Sequence, residues 1–141
     1  MPRVLESLSF SIRVLPSTQL GPDGQRLGKI MVKEFTEQFA CHPTTVRVDQ
    51  METTWHGPLR ALVAGERTAV LMHGPRFAWV IFRDGGKCFV QQIFSFDGSF
   101  RNILPRRVLN EDGHQISEWA TTVADISDFL DHCVRSGTSR S

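Results

Sequence analysis

The sequence has no excess of charge of either sign. Its 141 residues include 16 Lys and Arg against 15 Asp and Glu, so the formal net charge is +1. Non-specific binding to nucleic acid needs clustered Lys and Arg that neutralise phosphates. Arg101, Arg106 and Arg107 come closest to a cluster, and we expect them to lie on a solvated loop. The charge balance therefore argues against direct nucleic-acid binding.

Cysteine is scarce and widely spaced. Cys41, Cys88 and Cys133 form none of the CxxC pairs that are typical of zinc and redox motifs. His42 adjoins Cys41 and His132 adjoins Cys133, but neighbouring residues on a strand point to opposite sides and do not easily share a metal ion. We expect reduced thiols, no metal and no cofactor, and leave open whether any cysteine is functional.

Long apolar runs are also missing. No stretch reaches the roughly 20 predominantly apolar residues that a membrane-spanning helix needs. Residues 1–15 alternate polar and apolar side chains, whereas a secretory signal contains a continuous apolar run. We therefore expect a cytoplasmic protein that does not contact a membrane.

The apolar residues that are present suffice for one core. Hydrophobic residues make up 40% of the chain and charged residues 22%, and ten Phe and three Trp supply bulk. A chain of this length is the size of one domain. We predict a single domain over residues 1–135 and a disordered or irregular tail over residues 136–141.

Period-two alternation predicts strands in several segments. Residues 8–15 carry apolar side chains at alternate positions, and residues 77–94 resemble a hairpin around the turn formed by residues 84–86. Both faces of that hairpin are apolar, so we expect a central position with cover on each side. The order of elements predicts an α+β fold, with a mainly antiparallel twisted sheet of about five or six strands flanked by two or more helices.

Helical spacing is found in three places. From Met51 onward apolar residues recur on one helical face, and we expect the Gly57-Pro58 pair to kink or break this helix. Phe35 and Phe39 are four residues apart, which favours a helical turn over a strand. A final helix is predicted after Thr122, whose hydroxyl can cap it.

Residues 110–123 gather a His, several acids and a Trp. On a strand, His114 and Glu118 would share one face and could act as a base and its orienting partner. In the other interpretation His114 belongs to a turn and Glu118 faces solvent. No GxSxG motif or Gly-rich phosphate loop supports catalysis. We therefore expect no enzyme, and keep as the alternative an enzyme or small-ligand site near His114 and Glu118.

The acids of the chain are concentrated near its C-terminal end. Between Val108 and Val134 there is no Lys or Arg. The same window contains the acids Glu111, Asp112, Glu118, Asp125, Asp128 and Asp131. The last three are spaced to lie along one flank of the final helix. This pattern fits a solvated helix face, on which the dipole favours acids near the N-terminus. It also fits a docking surface for a basic partner, because complementary potentials speed encounter and select partners.

Several segments taken together resemble a family of bacterial immunity proteins. They are residues 28–39, the helix with Trp55, the hairpin with Trp79 and, most specifically, "EDGHQISEW" at residues 111–119. The family belongs to contact-dependent growth inhibition and related polymorphic toxin systems. The resemblance runs in the same order from residue 28 to residue 130.

This resemblance implies an inhibitor without catalytic residues. Such a protein binds the C-terminal domain of its cognate toxin in the cytoplasm, typically a basic nuclease, and occludes its active site. Phe35, Trp55, Trp79 and Trp119 would be packing residues, and residues 111–113 would form the turn before the last strand. The six acids are the predicted toxin contacts, and the oligomeric state is left open.

Overall fold

The computed structural model describes residues 8–95, 99–100, 106 and 112–138. Within these residues the chain forms seven strands and two α-helices, so the predicted α+β class is confirmed. The strands are β1 (Phe10–Val14), β2 (Arg26–Val32), β3 (Phe35–Cys41), β4 (Thr68–Met72), β5 (Phe77–Asp84), β6 (Lys87–Phe94) and β7 (Trp119–Thr122). The helices are α1 (Met51–Ala64) and α2 (Val123–Thr138), and a 3-10 turn (Val48–Gln50) precedes α1.

The strands form two antiparallel sheets, where we expected one. The first sheet has the order β1-β2-β3, and the second has the order β4-β5-β6-β7. A backbone hydrogen bond joins the residues that follow β3 and β4, from the His42 amide to the His73 carbonyl at 2.9 Å. Alternation identifies a strand and its buried face but does not identify its neighbour. The sequence pattern therefore predicted strands without predicting their division between sheets.

A single main core is shared by both sheets and both helices. Phe10 of β1, Trp55 of α1, Trp79 of β5 and Phe129 of α2 are all almost completely buried in it. The rings of Phe10 and Phe129 meet edge to face with their centroids 5.6 Å apart. Full burial of a side chain of this size stabilises the fold by about 1.5–3 kcal/mol. These contacts hold the helices against the sheets.

The β5–β6 hairpin is covered on both faces, as its apolar pattern predicted. One face places Trp79 in the main core, and the other places Val80 and Phe82 in a second buried cluster. Asp84 pairs with Lys87 across the turn, where Gly85 has a φ of 63°. Such a left-handed turn residue is what a tight hairpin requires. The hairpin occupies the centre of its four-stranded sheet.

Helix α1 runs continuously through Pro58, so the Gly57-Pro58 pair, where we expected a kink or a break, does not break it. It extends from Met51 to Ala64 with the proline inside. A proline in a helix interior costs about 3 kcal/mol, because it removes one hydrogen bond and crowds the preceding turn. Trp55 and Leu59 flank it and are almost completely buried, and each contributes about 1.5–3 kcal/mol. Core packing therefore outweighs the local preference.

The predicted helical turn at Phe35 and Phe39 is also wrong, because both residues belong to β3. A spacing of four residues fits one face of a strand as well as one face of a helix. The residue between them on that face is Glu37, and its charge obscured the period-two pattern. Both phenylalanine rings point towards the second sheet, where Phe35 contacts Trp119 and Phe39 contacts Trp79.

Helix α2 begins at the predicted cap. The Asp125 amide donates a 3.1 Å hydrogen bond to Thr122 Oγ1, which satisfies one of the free donors at the helix start. The helix ends at Thr138, so residues 136–138 of the predicted tail are helical, and residues 139–141 lie outside the described residues. Among the described helices none is long and apolar enough to cross a membrane.

Candidate partner-binding surface

The acid-rich segment enters the fold as the edge strand β7. Trp119 pairs with Val90 of β6, and Gly113 has a φ of 80° in the turn before the strand. The strand begins at Trp119, so His114 and Glu118 lie before it and do not share a strand face. This removes the geometry on which the predicted pairing of His114 with Glu118 rested.

Glu118 is tied to other parts of the fold. Its carboxylate accepts two hydrogen bonds from the Arg106 guanidinium, one of them from Nε at 2.6 Å, and a third from Gln91 Nε2 at 2.7 Å. The Arg106 hydrogen bond lowers the pKa of Glu118, against the opposing effect of partial burial. Arg106 also lies over the Phe89 ring, 3.8 Å from its centroid. Arg106 is exposed and lies outside any helix or strand, as expected for a solvated loop, but it also pairs with Glu118. Arg101 and Arg107 lie outside the described residues.

A pocket of about 400 Å³ lies beside this ion pair. It is lined by Arg106, Gln115, Ile116, Ser117, Glu118 and Trp119. His114 is exposed and does not line it. A general base needs an available lone pair and a pKa near the working pH, but Glu118 is held ionised and accepts three hydrogen bonds. Within the described residues, the pocket therefore pairs Glu118 with Arg106 and not with His114.

Asp125 is the second acid that is tied to the fold. Its Oδ2 lies 2.7 Å from Lys33 Nζ and accepts a 2.9 Å hydrogen bond from Thr121 Oγ1. Partial burial alone would raise the pKa of Asp125, but the hydrogen bonds from Lys33 and Thr121 outweigh it and lower the pKa. Lys33 has a φ of 58° in the turn between β2 and β3, so this ion pair joins that turn to the start of α2.

Other predicted contact residues face solvent. Asp128 and Asp131 are exposed on the side of α2 opposite its buried face, and Asp112 is exposed in the turn before β7. We call Asp112, Asp128 and Asp131 the outer acids, and Glu118 and Asp125 the inner acids. Glu111 lies outside the described residues. The structure thus divides one acidic segment into two groups with different surroundings.

His73 is a buried polar residue that we did not single out from the sequence. Its Nδ1 lies 2.9 Å from the Ala40 carbonyl, and its Nε2 lies 3.1 Å from Gln92 Nε2. Because a carbonyl only accepts, Nδ1 carries the proton and Nε2 accepts from the amide. Burial lowers the pKa of His73. Ala69, Leu71 and His73 alternate at period two, and this pattern could have placed the imidazole on the core side.

Glu37 is a second residue that we overlooked. It pairs with the fully buried Ile30 and lies between Phe35 and Phe39 on the face of β3 that points to the second sheet. Beside it, Phe35 stacks on Trp119 with the ring centroids 3.8 Å apart and the planes 14° from parallel. The departure from alternation was visible in the sequence as an acid between two phenylalanines.

The three cysteines are protonated thiols at neutral pH. Burial raises the pKa of Cys41 to about 12, and it raises the pKa values of Cys88 and Cys133 to about 11. All three are free thiols, and a protonated thiol is a poor nucleophile and a poor metal ligand. In the part of the chain that the structure describes, no group of three or more His, Cys, Asp or Glu side chains could hold a metal ion.

Comparison with known proteins places this geometry in a family. The family described as the CdiI N-terminal domain matches residues 44–129. No curated protein matches the chain. One chain of a solved structure, described as a CdiA-CT/CdiI toxin and immunity complex from Enterobacter cloacae, is similar to it with a TM-score of 0.71 and 18% identity. That likeness covers 89% of this chain and 99% of the other, and at this identity it shows a shared fold. The resemblance to immunity proteins is thereby confirmed, and the chain belongs to the CdiI N-terminal domain family.

Proposed function

We propose that this protein is an immunity protein that binds a cognate CdiA-CT toxin domain and neutralises it. The observation that carries the proposal is the family match over residues 44–129. A shared fold with one chain of a toxin and immunity complex supports it. In this proposal the immunity protein binds the toxin domain in the cytoplasm.

Neutralisation in this proposal requires coverage and no bond chemistry. Two groups that could move protons are held in fixed roles. Glu118 is fixed in an ion pair with Arg106, and His73 is buried with hydrogen bonds at both ring nitrogens. The immunity protein acts by lying over the toxin's active site, so that substrate is excluded. A typical stable interface of this kind buries about 1,600 Å² in total.

The toxin in this proposal is a basic nuclease, and the outer acids contact it. A nuclease has to bind phosphates through Lys and Arg, so its substrate groove carries positive potential. Asp112, Asp128 and Asp131 are exposed and present the opposite sign. Glu111 belongs to the same proposed surface by its place in the sequence, while Glu118 and Asp125 support it by fixing β7 and the start of α2.

A direct test mixes the purified protein with the toxin domain encoded immediately upstream. Binding is measured by isothermal titration calorimetry, and the toxin's cleavage of DNA and RNA is followed with increasing immunity protein. We expect a dissociation constant below about 1 μM, as is typical of specific complexes, and stoichiometric loss of cleavage. A dissociation constant above about 1 μM would count against the immunity role. Binding to a toxin that cleaves neither nucleic acid would reject only the nuclease assignment.

The contribution of the outer acids is tested by reversing charge on α2. The double variant Asp128→Lys with Asp131→Lys should weaken toxin binding by about 2–5 kcal/mol and slow association. The matched control is Asp23→Lys with Glu66→Lys, which reverses two exposed acids elsewhere. Equal weakening by both double variants would mean that net charge, and not the α2 flank, governs the affinity.

A further inference from the structure

The side chain of Glu37 breaks the pattern of the strand that carries it. Phe35, Phe39 and Cys41 share its face of β3, and its cross-strand neighbour Ile30 is fully buried. A core-facing position in a strand normally carries an apolar residue, because a charge there costs stability. A charge that is kept at such a position often has a function. Glu37 is only partly buried, and it makes no hydrogen bond or ion pair with any residue that the structure describes.

Aromatic rings lie on either side of this carboxylate. Phe35 stacks on Trp119, and both rings are partly exposed. On the other side Phe39 packs against Trp79 at a centroid distance of 5.7 Å. The faces of such rings carry negative potential and attract cations, tryptophan most strongly. A carboxylate and ring faces side by side favour the same kind of guest.

A neutral hydrogen-bond acceptor lies on the same side of the second sheet. Gln92 pairs with Trp79 in the hairpin, and its side chain is exposed. Its amide nitrogen donates to His73 Nε2, because the Ala40 carbonyl fixes the tautomer of that ring. The orientation of the Gln92 amide is thereby set, and its carbonyl oxygen makes no hydrogen bond within the described residues.

We propose that Phe35, Glu37, Gln92 and Trp119 form a site, here called the Glu37 site, that receives one lysine or arginine side chain of the partner. This inference rests on the proposed function, and the partner is the toxin domain. Charge complementarity selects the occupant, since the site offers a carboxylate without an ion partner in the described region, two partly exposed aromatic rings and a carbonyl oxygen. An anionic or purely apolar guest would leave the Glu37 charge unpaired on binding, which is costly.

The Glu37 site also differs in kind from the outer acids. Charges at an exposed rim mainly speed association and are weakened by salt. A cation held between a partly buried carboxylate and aromatic rings loses its water. Removal of this contact by mutation should therefore change mainly the dissociation rate. The two surfaces therefore make separable contributions to one complex.

The experiment compares Glu37→Gln with Glu34→Gln. Both substitutions remove one negative charge, and Glu34 is exposed in the turn three residues earlier. We expect Glu37→Gln to weaken toxin binding about 10- to 100-fold, through faster dissociation, and Glu34→Gln to change it less than about 3-fold. Glu37→Asp, which keeps the charge on a shorter side chain, should lie between them.

A scan of the toxin identifies the guest. Each Lys and Arg of the toxin is replaced by Ala and measured against both forms of residue 37. One of these replacements should weaken binding to the wild-type protein but have little further effect on Glu37→Gln, because the pair is already broken. Additive effects for every Lys and Arg would overturn the inference.

Stability measurements separate a binding role from a structural one. Urea unfolding of Glu37→Gln should show no loss of stability relative to the wild type, because Glu37 has no partner among the described residues to lose. Weaker binding that is accompanied by a matching loss of stability would overturn the inference. If the wild type binds the toxin and Glu37→Gln binds equally well, the Glu37 site is wrong while the immunity role stands. If the wild type does not bind at all, both proposals fail.

Discussion

The inner acids and the outer acids come from one stretch of sequence but have opposite surroundings. Glu118 and Asp125 each have side chains less than one-fifth exposed, at 17% and 16%, and each is paired with a distant basic residue. Asp128 and Asp131 lie on the same helix as Asp125 and are exposed to solvent. Acidic composition alone therefore does not indicate whether a residue supports the fold or meets a partner.

The difference follows from where the basic partners lie. Lys33 lies in the turn between β2 and β3, and Arg106 precedes β7, so each basic residue comes from a different segment from the acid that it contacts. The inner acids join different elements of the fold through their ion pairs, whereas the outer acids are exposed on its surface. We expect substitutions in the two groups to affect different measurements, stability for one and binding for the other.

The largest loss of stability is expected at Glu118. Replacement by Ala leaves the Arg106 guanidinium without its carboxylate and removes the acceptor of the buried Gln91 amide. An acceptor lost from a buried donor such as the Gln91 amide costs about 1–3 kcal/mol, so we expect the free energy of unfolding to fall by about 2 kcal/mol. Urea denaturation at pH 7 measures it, with Asp112→Ala as the control from the same segment. A loss at Asp112 as large as that at Glu118 would break the distinction between the two groups.

A smaller loss is expected at Asp125. Ala at this position removes the Lys33 ion pair, the Thr121 hydrogen bond and a negative charge in the first turn of α2. Charges near a helix start contribute about 0.3–1 kcal/mol, and the lost hydrogen bond about 1 kcal/mol. We expect a total near 1–1.5 kcal/mol by urea denaturation. Asp128→Ala, one turn further along the same helix, should stay within about 0.5 kcal/mol of the wild type.

The sequence predicted well those features whose cause is local. Residues 77–94 were recognised as a central hairpin because apolar side chains occupy both faces and Gly85 permits the turn. Thr122 was recognised as a cap because its hydroxyl acts on an amide three residues later. Such features need no knowledge of the rest of the chain.

Features that depend on distant residues could not be predicted in the same way. The division of strands into two sheets is decided by pairing between segments, which alternation does not record. The role of Glu118 depends on Arg106, 12 residues earlier in the sequence, and the role of Asp125 in α2 depends on Lys33 in the turn between β2 and β3. The prediction for β3 failed because Glu37, a charged residue, interrupts the alternation of apolar residues between Phe35 and Phe39.

The dependence of stability on pH should separate the two groups once more, with a smaller effect. Hydrogen bonds from Arg106 lower the pKa of Glu118, and those from Lys33 and Thr121 help to lower that of Asp125. In the unfolded chain these carboxyls titrate near their ordinary values, about 4.5 and 3.8. The folded state therefore binds fewer protons than the unfolded state over this range. The stabilisation is complete above the ordinary pKa values and is lost as the pH falls through and below them.

Measurement of this effect has to exclude histidine. Burial lowers the pKa of His73. The contribution of His73 to stability therefore begins to be lost as the pH falls below about 6.5, before the carboxyls titrate. We would therefore follow unfolding from pH 5.5 to pH 3 in a background with His56→Gln and His73→Gln, because burial also lowers the pKa of His56 and Gln does not titrate. Addition of Glu118→Gln should reduce the slope of stability against pH, because one depressed carboxyl has been removed. Addition of Asp128→Asn, which removes an outer acid, should leave a steeper slope than Glu118→Gln does.

The loss of stability on acidification should be smaller than that caused by Glu118→Ala, because the protonated Glu118 side chain keeps its volume and one hydrogen-bond acceptor. Equal slopes for the two additions would mean that the Arg106 contact does not favour the ionised form, and the inner acids would then no longer differ from the outer acids in their electrostatics.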